Sequence, residues 1–435
     1  MLVPATLRHL TRDAWLLFAT RFVRLFAYGS LSVVLVFYLV GVGLSEPQTG
    51  LLLTLTLVGD TVVSLFLTTR ADRIGRRRTL VAGAVLMAGA GLVFSSTRNL
   101  WLLLIAGTVG VISPSGNEVG PFLSIEQAAL SHVVSDRTRT DVFAWYTLAG
   151  SVATALGALA GGTVARGSGR VLTSPVDSYR IVVVLYAALG VSLAILFSRL
   201  SGQAEATTVS EKTASGSTFG ALSGLDRSRA VVARLSALFA LDSFGGGFVI
   251  QSFAAYWFYL RFGVNPATLG AIFFWANIFA GISALLASRL AARIGLIKTM
   301  VATHLPSNIL LILVPLMPTL PLAVLVLLVR FSISQMDVPT RQSYIMAIVS
   351  PEERSAAAGI TGVARTIGAA ISPLFVGLMF ARPALINLPF FIAGTLKIAY
   401  DLLLYRGFVA VRPPEERVAP ADDGRSTTRP RRARE

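Results

Sequence analysis

The residues able to do chemistry in this chain are charges set inside apolar sequence. Asp60 sits within an apolar run from about 48 to 69, and Arg330 and Arg365 sit near the middle of two later runs. A charge in such surroundings costs about 3 kcal/mol or more unless it finds a partner or water. Its presence points to charge handling: a carboxylate that takes up and releases a proton, or a guanidinium that holds an anion. Asp60 is the first choice for proton binding, because desolvation penalises the charged form; a permanent structural ion pair is the competing reading. Arg330 and Arg365 keep their charge in any surroundings. They suit a pairing with Asp60 or an anionic substrate, with Arg24 as a third member of such a clamp. Arg21 and Arg24, three residues apart and hence on one helical face, lie nearer the start of the first run.

Other chemistries have little support. The chain has no cysteine, which removes thiol nucleophiles, disulfides and Cys-based metal sites. None of its three histidines has a His or carboxylate at ligand spacing on a shared helix, so no metal centre is expected. No Gly-x-x-x-x-Gly-Lys-Ser/Thr stretch occurs, which argues against nucleotide use. Gly245-Gly246-Gly247 lies inside an apolar run and reads as a place for bending or close packing. Neither an enzyme nor a cofactor is indicated.

The elements that must position these charges follow from hydropathy. With 54% hydrophobic residues and a mean hydropathy of +0.70, the chain is read as a membrane protein. A bilayer span takes about 20 apolar residues as helix. Six runs lie at 15–42, 48–69, 79–97, 100–121, 142–165 and 180–198, and six more at 235–261, 267–290, 298–317, 321–345, 356–380 and 388–408. The expectation is an all-α membrane protein of 12 transmembrane helices in two six-helix bundles, 15–198 and 235–408. Residues 1–14 form an N-terminal segment, 199–234 a linker rich in Ser, Thr, Gly and Ala, and 409–435 a charged tail expected to be disordered.

Loop charge then sets orientation. Arg8, Arg12, the cluster Arg70 to Arg78, Arg137, Arg139, Arg199, Arg293, Lys298, Arg354 and the tail fall on one side, which is read as cytoplasmic together with both termini. The net charge of +16 is thereby explained by topology in a cell inner membrane, without a nucleic-acid partner. The partners expected are the lipid bilayer, a small-molecule substrate and protons, with the chain a monomer.

The halves repeat each other. Ala71-Asp72-Arg73-Ile74-Gly75 returns as Ala291-Ala292-Arg293-Ile294-Gly295, and Phe37-Tyr38-Leu39 as Phe258-Tyr259-Leu260. Internal symmetry of this kind implies two bundles about a central pathway. With Asp72-Arg73-Ile74-Gly75-Arg76-Arg77 between the second and third spans, the chain resembles the major facilitator superfamily of secondary transporters, over about residues 12 to 408. It departs from the family pattern at Thr68, where Gly is usual, and at Arg70. Gly157-Ala158-Leu159-Ala160-Gly161-Gly162 resembles the antiporter signature with Ala158 in the proline position; close helix packing is the alternative explanation.

The resemblance implies coupling to an ion gradient, most often protons, and a conformational switch at Asp72, Arg73, Gly75, Arg76 and Arg77. Asp72 would be held by the N-terminal end of the eleventh span near Ser355 and released on inward opening. In the register of the repeat Asp242 aligns with Arg21, and Glu126 with Arg341, so an Arg21–Asp242 gate and a Glu126–Arg341 facing pair are expected across the axis. Asp242 and Glu118 join Asp60 as proton-coupling candidates. Prolines 114 and 339 suggest kinks beside Glu118 and Asp337. Gln251 and Asn277 are cavity candidates, His304 reads as a packing histidine, and Lys397 with Asp401, four apart, as a pair that neutralises itself. Tyr256-Trp257-Phe258-Tyr259 and Trp101 read as an interface belt. The preferred function is proton-coupled export of a small organic solute by alternating access. Uptake or exchange of an anionic solute is the alternative, and a non-transporting sensor or lipid-handling protein is the third reading.

Overall fold

The computed structural model describes residues 10–118, 120–134, 139–168, 174–202, 205, 225 and 228–411. Among them there are helices and connecting turns and no strand. The α-helices in chain order are α1 Arg12–Gly41, α2 Glu46–Ile74, α3 Arg76–Ser96, α4 Leu100–Val109, α5 Phe122–Val133, α6 Arg139–Ser168 and α7 Pro175–Ser198. After the linker come α8 Arg229–Gly247, α9 Gln251–Phe262, α10 Pro266–Ile294, α11 Leu296–Leu313, α12 Leu320–Ser334, α13 Asp337–Ile348, α14 Arg354–Phe380 and α15 Leu388–Phe408. Eleven helical stretches are long and apolar enough to cross a membrane, and Leu100–Val109 is a shorter apolar helix that begins the fourth span.

Local sequence sets the ends of these helices. Ser45 and Gln48 form a reciprocal capping box at α2, with Pro47 in the first turn. Asn265 caps α10 by accepting from the Thr268 N–H at 3.1 Å, with Pro266 at the first helical position. Between α2 and α3, and again between α10 and α11, a single glycine makes the turn: Gly75 at φ 104° and Gly295 at φ 88°. Only glycine adopts such backbone without strain.

Three spans expected to be continuous are broken. The run 100–121 is helical only to Val109, and the described residues from there to Phe122, where α5 begins, are irregular. Pro114 lacks an N–H, and Gly116 and Gly120 take positive φ, so the helix cannot continue. The seventh span is interrupted at Phe248–Ile250, directly after Gly245-Gly246-Gly247. The tenth is interrupted at Gln335 and Met336, where Pro339 falls in the first turn of α13 and its missing N–H costs nothing.

Packing repeats between the halves. α1 lies on α6 and α7 as α8 lies on α14 and α15; α3 packs on α7 as α11 packs on α15; α2 meets α4 as α10 meets α12. The halves join through α2 against α14 and α6 against α10. Both crossings are glycine to glycine. A Cβ on Gly50 would run into the Pro373 carbonyl and Gly377, and one on Gly162 into the Pro266 carbonyl and Gly270.

Phe37 packs edge-on against Tyr256 and Tyr259, at 5.5 and 5.2 Å between centroids, and the Tyr256 hydroxyl donates to Glu46 at 3.2 Å. These contacts seal the end away from the arginine cluster. Toward the arginine-rich end, a Cβ on Gly359 or Gly362 of α14 would meet nothing within 4 Å, so α14 is not tied there by glycine contacts of this kind.

The aromatic belt expectation is corrected in part. Trp101 is 72% exposed, as a belt residue should be, and Tyr259 is exposed too. Tyr256, Trp257 and Phe258 are buried. Trp257 packs at a tilt against Phe390, 4.6 Å between ring centroids, and donates its indole N–H to Asn387 at 2.9 Å, because this face of α9 is turned toward α1 and α15 rather than lipid.

Candidate functional site

Two buried charge clusters are present, one in each half. In the first, α1 presents Thr20, Arg21 and Arg24 on one face. The irregular segment 110–121 brings Glu118 to them, α5 brings Glu126 and α6 brings Tyr146. Arg24 Nη1 and Nη2 donate to the Glu126 carboxylate at 2.6 and 2.7 Å in a bidentate fork, and its Nε and Nη2 reach Glu118 at 3.2 Å. Arg21 Nη1 lies 2.6 Å from Glu118 Oε1, and its guanidinium stacks over the Tyr146 ring at 4.4 Å. Thr20 donates to Glu126 at 3.0 Å, and the Tyr146 hydroxyl donates to the same carboxylate. Arg24 and Glu126 are wholly buried, and two arginines balance two glutamates.

The second cluster centres on Asp242 of α8. Lys397 Nζ donates to its Oδ1 at 2.6 Å and Arg341 Nη1 to its Oδ2 at 3.0 Å. Arg341 Nη1 also lies 3.4 Å from Asp337. His304 Nε2 is 3.6 Å from Asp242 Oδ1, while its Nδ1 is 2.8 Å from Asp401 Oδ1. Asn308 donates to Asp401 Oδ2 at 3.0 Å. Asp242, His304 and Asp337 present ligand atoms within 4.8 Å of one another. Arg341 and Lys397 already neutralise that space, so the arrangement is an ion-pair network rather than a metal centre.

The expected pairings across the axis are corrected. Arg21 meets Glu118 and not Asp242; Glu126 meets Arg24 and not Arg341; Arg341 and Lys397 both turn to Asp242. Each charge pairs within its own half, because a buried charge left without a partner beside it is costly. Lys397 and Asp401 do not neutralise each other either, because Lys397 serves Asp242 while Asp401 holds His304. His304 is buried as expected, and its Nδ1 lies 2.8 Å from Asp401 Oδ1 and 3.0 Å from the Asn308 amide nitrogen, neighbours that sequence reasoning missed. The spacing of His304 to Asn308, four residues on one face, is the signal that could have found Asp401's partners.

Asp60 stands apart from both clusters. Its Oδ1 accepts the Gly120 N–H at 2.6 Å and the Ser64 hydroxyl at 3.3 Å, and among the described residues no cation pairs with it. The pairing with Arg330 or Arg365 is therefore absent. Both arginines bury an Nε without a partner, and among the described residues neither forms an ion pair. Arg330 lies in the field of Asp337 and Asp242, and Arg365 in that of Arg341, Asp242 and Asp337. Of the expected anion clamp, Arg24 alone is already occupied by carboxylates.

At mid-height the halves meet through polar groups. Gln251 donates to Ser32 at 2.7 Å and accepts from Asn277 at 3.1 Å. The Ser252 N–H donates to the Pro114 carbonyl at 3.1 Å, joining two of the helix breaks.

At the arginine-rich turn, the side chains of Asp72 and Ser355 lie outside the described residues, and so does the latch expected between them. Arg73 is exposed. The N–H groups of Arg76 and Arg77, past Gly75, donate to Glu205 of the linker at 2.7 and 3.2 Å. The glycines of the antiporter-like stretch serve packing: a Cβ on Gly157 or Gly161 would strike the carbonyl of Phe26 or Ser30 in α1.

Comparison with known proteins agrees with the fold. The family model described as Major Facilitator Superfamily matches residues 17–260 and 235–434. An uncharacterized membrane protein of Saccharomyces cerevisiae is 32% identical over 427 residues, 92% of this chain and 95% of that protein. A Na(+), Li(+), K(+)/H(+) antiporter of Planococcus maritimus is 30% identical over 112 residues, 26% of each chain. Among solved structures, a mutant form of the nucleoside transporter NupG superposes with a TM-score of 0.73 at 12% identity, covering 91% of this chain and 100% of that one.

Proposed function

The chain belongs to the Major Facilitator Superfamily, and from that premise we propose that it exports a small organic solute by proton-coupled alternating access, with Asp60 as the coupling carboxylate. The observation that carries the reading is the surroundings of Asp60: a largely desolvated carboxylate held by one N–H and one hydroxyl, with no described cation to fix it in the charged form. A carboxylate so placed can be occupied or emptied by a proton without breaking an ion pair. Asp242 and Glu118 are the further coupling candidates, each bound to cations that a proton would release. The local similarity to an antiporter supports exchange against protons. Loop charge supports both termini being cytoplasmic, in a cell inner membrane.

A second reading, uptake or exchange of an anionic solute, is favoured by Arg330 and Arg365, whose charges have no described carboxylate within ion-pair distance. Gln251 and Asn277 would contribute neutral hydrogen bonds to either solute.

Flux in proteoliposomes with an imposed pH gradient, offered lipophilic cations and organic anions, separates these readings. Proton-driven export requires flux that reverses with the gradient and disappears in Asp60→Asn. Anion exchange persists after the gradient collapses and fails in Arg330→Ala. Movement of no solute refutes both.

A further inference from the structure

We propose that Arg21 and Arg24 form a carboxylate-binding site, which Glu118 occupies in this structure and which an organic carboxylate solute takes over by displacing it. The site lies in the first half, apart from Arg330 and Arg365. Its role in moving a solute rests on the anionic-solute reading; the site itself rests on geometry.

The two cations are fixed without help from Glu118. Arg24 is wholly buried, its guanidinium forked onto Glu126 and lying 4.8 Å from the centre of the Phe122 ring. Arg21 is 6% exposed and lies over the Tyr146 ring. Gly150 of α6 leaves room for it, since a Cβ there would stand 2.7 Å from Arg21 Nε and 3.0 Å from Nη2.

Glu118 is held by far less. Its side chain is 19% exposed, against 7% for Arg21 and none for Arg24 and Glu126. Among the described residues its only polar contacts are with the two arginines, at 2.6 Å to Arg21 Nη1 and 3.2 Å to Nε and Nη2 of Arg24. The two contacts to Arg24 are long for charge-assisted hydrogen bonds, which run at about 2.7 to 2.9 Å. The Glu118 backbone lies outside any helix, with Gly116 at φ 71° and Gly120 at φ 80° two residues to either side. Glycines there let this short peptide change course at little steric cost. Asn117 beside it is exposed, so accessible space adjoins the carboxylate.

Charge decides what can displace Glu118. Glu126 answers Arg24, which leaves Glu118 as the carboxylate on Arg21 among the described residues. A neutral solute that moved Glu118 aside would strand a buried guanidinium, which is costly. A carboxylate brings the same charge and the same planar pair of acceptors for an arginine fork. Glu118 is then a tethered competitor that keeps the site neutral until a solute arrives. Tethering gives it a high effective concentration, so its removal strengthens binding of an external carboxylate, the opposite of what removing a contact residue does.

Benzoate is the probe, offered to the full chain in lipid nanodiscs at ionic strength held constant with sodium chloride. Binding is read by equilibrium dialysis and by the rise in unfolding midpoint that a ligand of the folded state produces. Glu118→Gln should bind benzoate about tenfold or more tightly than the native chain, the worth of a charged hydrogen bond. Glu118→Asp, which keeps the charge and shortens the reach, should show a smaller gain in the same direction. Adding Arg21→Ala to Glu118→Gln should abolish the binding. Affinity in the Glu118 variants equal to or below that of the native chain overturns the inference, as does binding that survives the loss of Arg21 or an absence of benzoate binding by Glu118→Gln. Tetraphenylphosphonium held by the native chain and lost in Glu118→Gln also overturns it, because Glu118 would then be a cation site. Every variant keeps Arg330 and Arg365, so the two anion sites fail separately. Benzoate binding that vanishes in Arg330→Ala and ignores Glu118 refutes this site and retains that reading; the gain in Glu118→Gln without anion flux retains this site and refutes that reading.

Discussion

Replacing Gly50 with alanine tests how the sealed end is held. A methyl carbon there would stand 2.5 Å from the Pro373 carbonyl oxygen and 3.0 Å from the Gly377 Cα. Carbon contacts are comfortable at about 3.5 to 4.0 Å, so α2 and α14 must part by about 1 Å. Both obstacles are backbone, so no side chain can rotate away. Overpacking of this kind costs about 1 to 3 kcal/mol. The cost falls only on conformations closed at this end, which lose population relative to parted ones by about 5- to 150-fold.

Because the chain lacks cysteine, Arg98→Cys and Arg382→Cys give two exposed label sites at that end, one in each half, without background. Spin-label distances in nanodiscs should shift toward a longer component in Gly50→Ala. The control Gly89→Ala adds a methyl to open space and should leave the distribution as in the native chain. A folded Gly50→Ala protein with an unaltered distribution would falsify the argument that these glycines set the closure.

Three further outcomes are expected. Arg330→Ala or Arg365→Ala should weaken binding of an organic anion by about tenfold or more, the worth of a charged hydrogen bond, and leave a neutral solute unaffected; equilibrium dialysis with both probes checks it. Glu126→Ala leaves Arg24 buried against fewer counter-charges and should cost about 3 to 5 kcal/mol, read as a lowered unfolding midpoint in detergent. Glu205→Ala removes the acceptor for the first two N–H groups of α3 and should cost about 1 kcal/mol locally, read as faster deuterium exchange at Arg76 and Arg77.

Much of the fold was legible because a spanning helix must carry an unbroken apolar run, and the turns at Gly75 and Gly295 announce themselves by a repeated motif. The breaks were half legible. Pro114 and Pro339 marked two of them, but a kink and a longer irregular stretch look alike until packing shows that one helix stops at Val109 and the next starts at Phe122. Partners were the least legible. Register within the repeat identified Arg21 with Asp242 as equivalent positions, yet equivalence within a repeat says nothing about distance, and each pairs within its own half. Glu118 reaches Arg21 and Arg24 only because its backbone has left the helix, and no spacing rule covers that. Likewise the burial of Trp257 depends on which way α9 faces, which apolar content alone does not tell.

The irregular stretch between α4 and α5 touches both halves at once. Its Pro114 carbonyl accepts from both the N–H and the hydroxyl of Ser252 of α9, at 3.1 and 2.5 Å, and a few residues on, Glu118 joins Arg21 and Arg24. The two contacts are thus linked variables of one short peptide. If a solute draws Glu118 away from Arg24 and thereby loosens the Ser252 contact by some factor, thermodynamic reciprocity requires that weakening the Ser252 contact change the affinity for that solute by the same factor. Solute titrations on the native chain and on Ser252→Ala would close that cycle with affinity measurements alone.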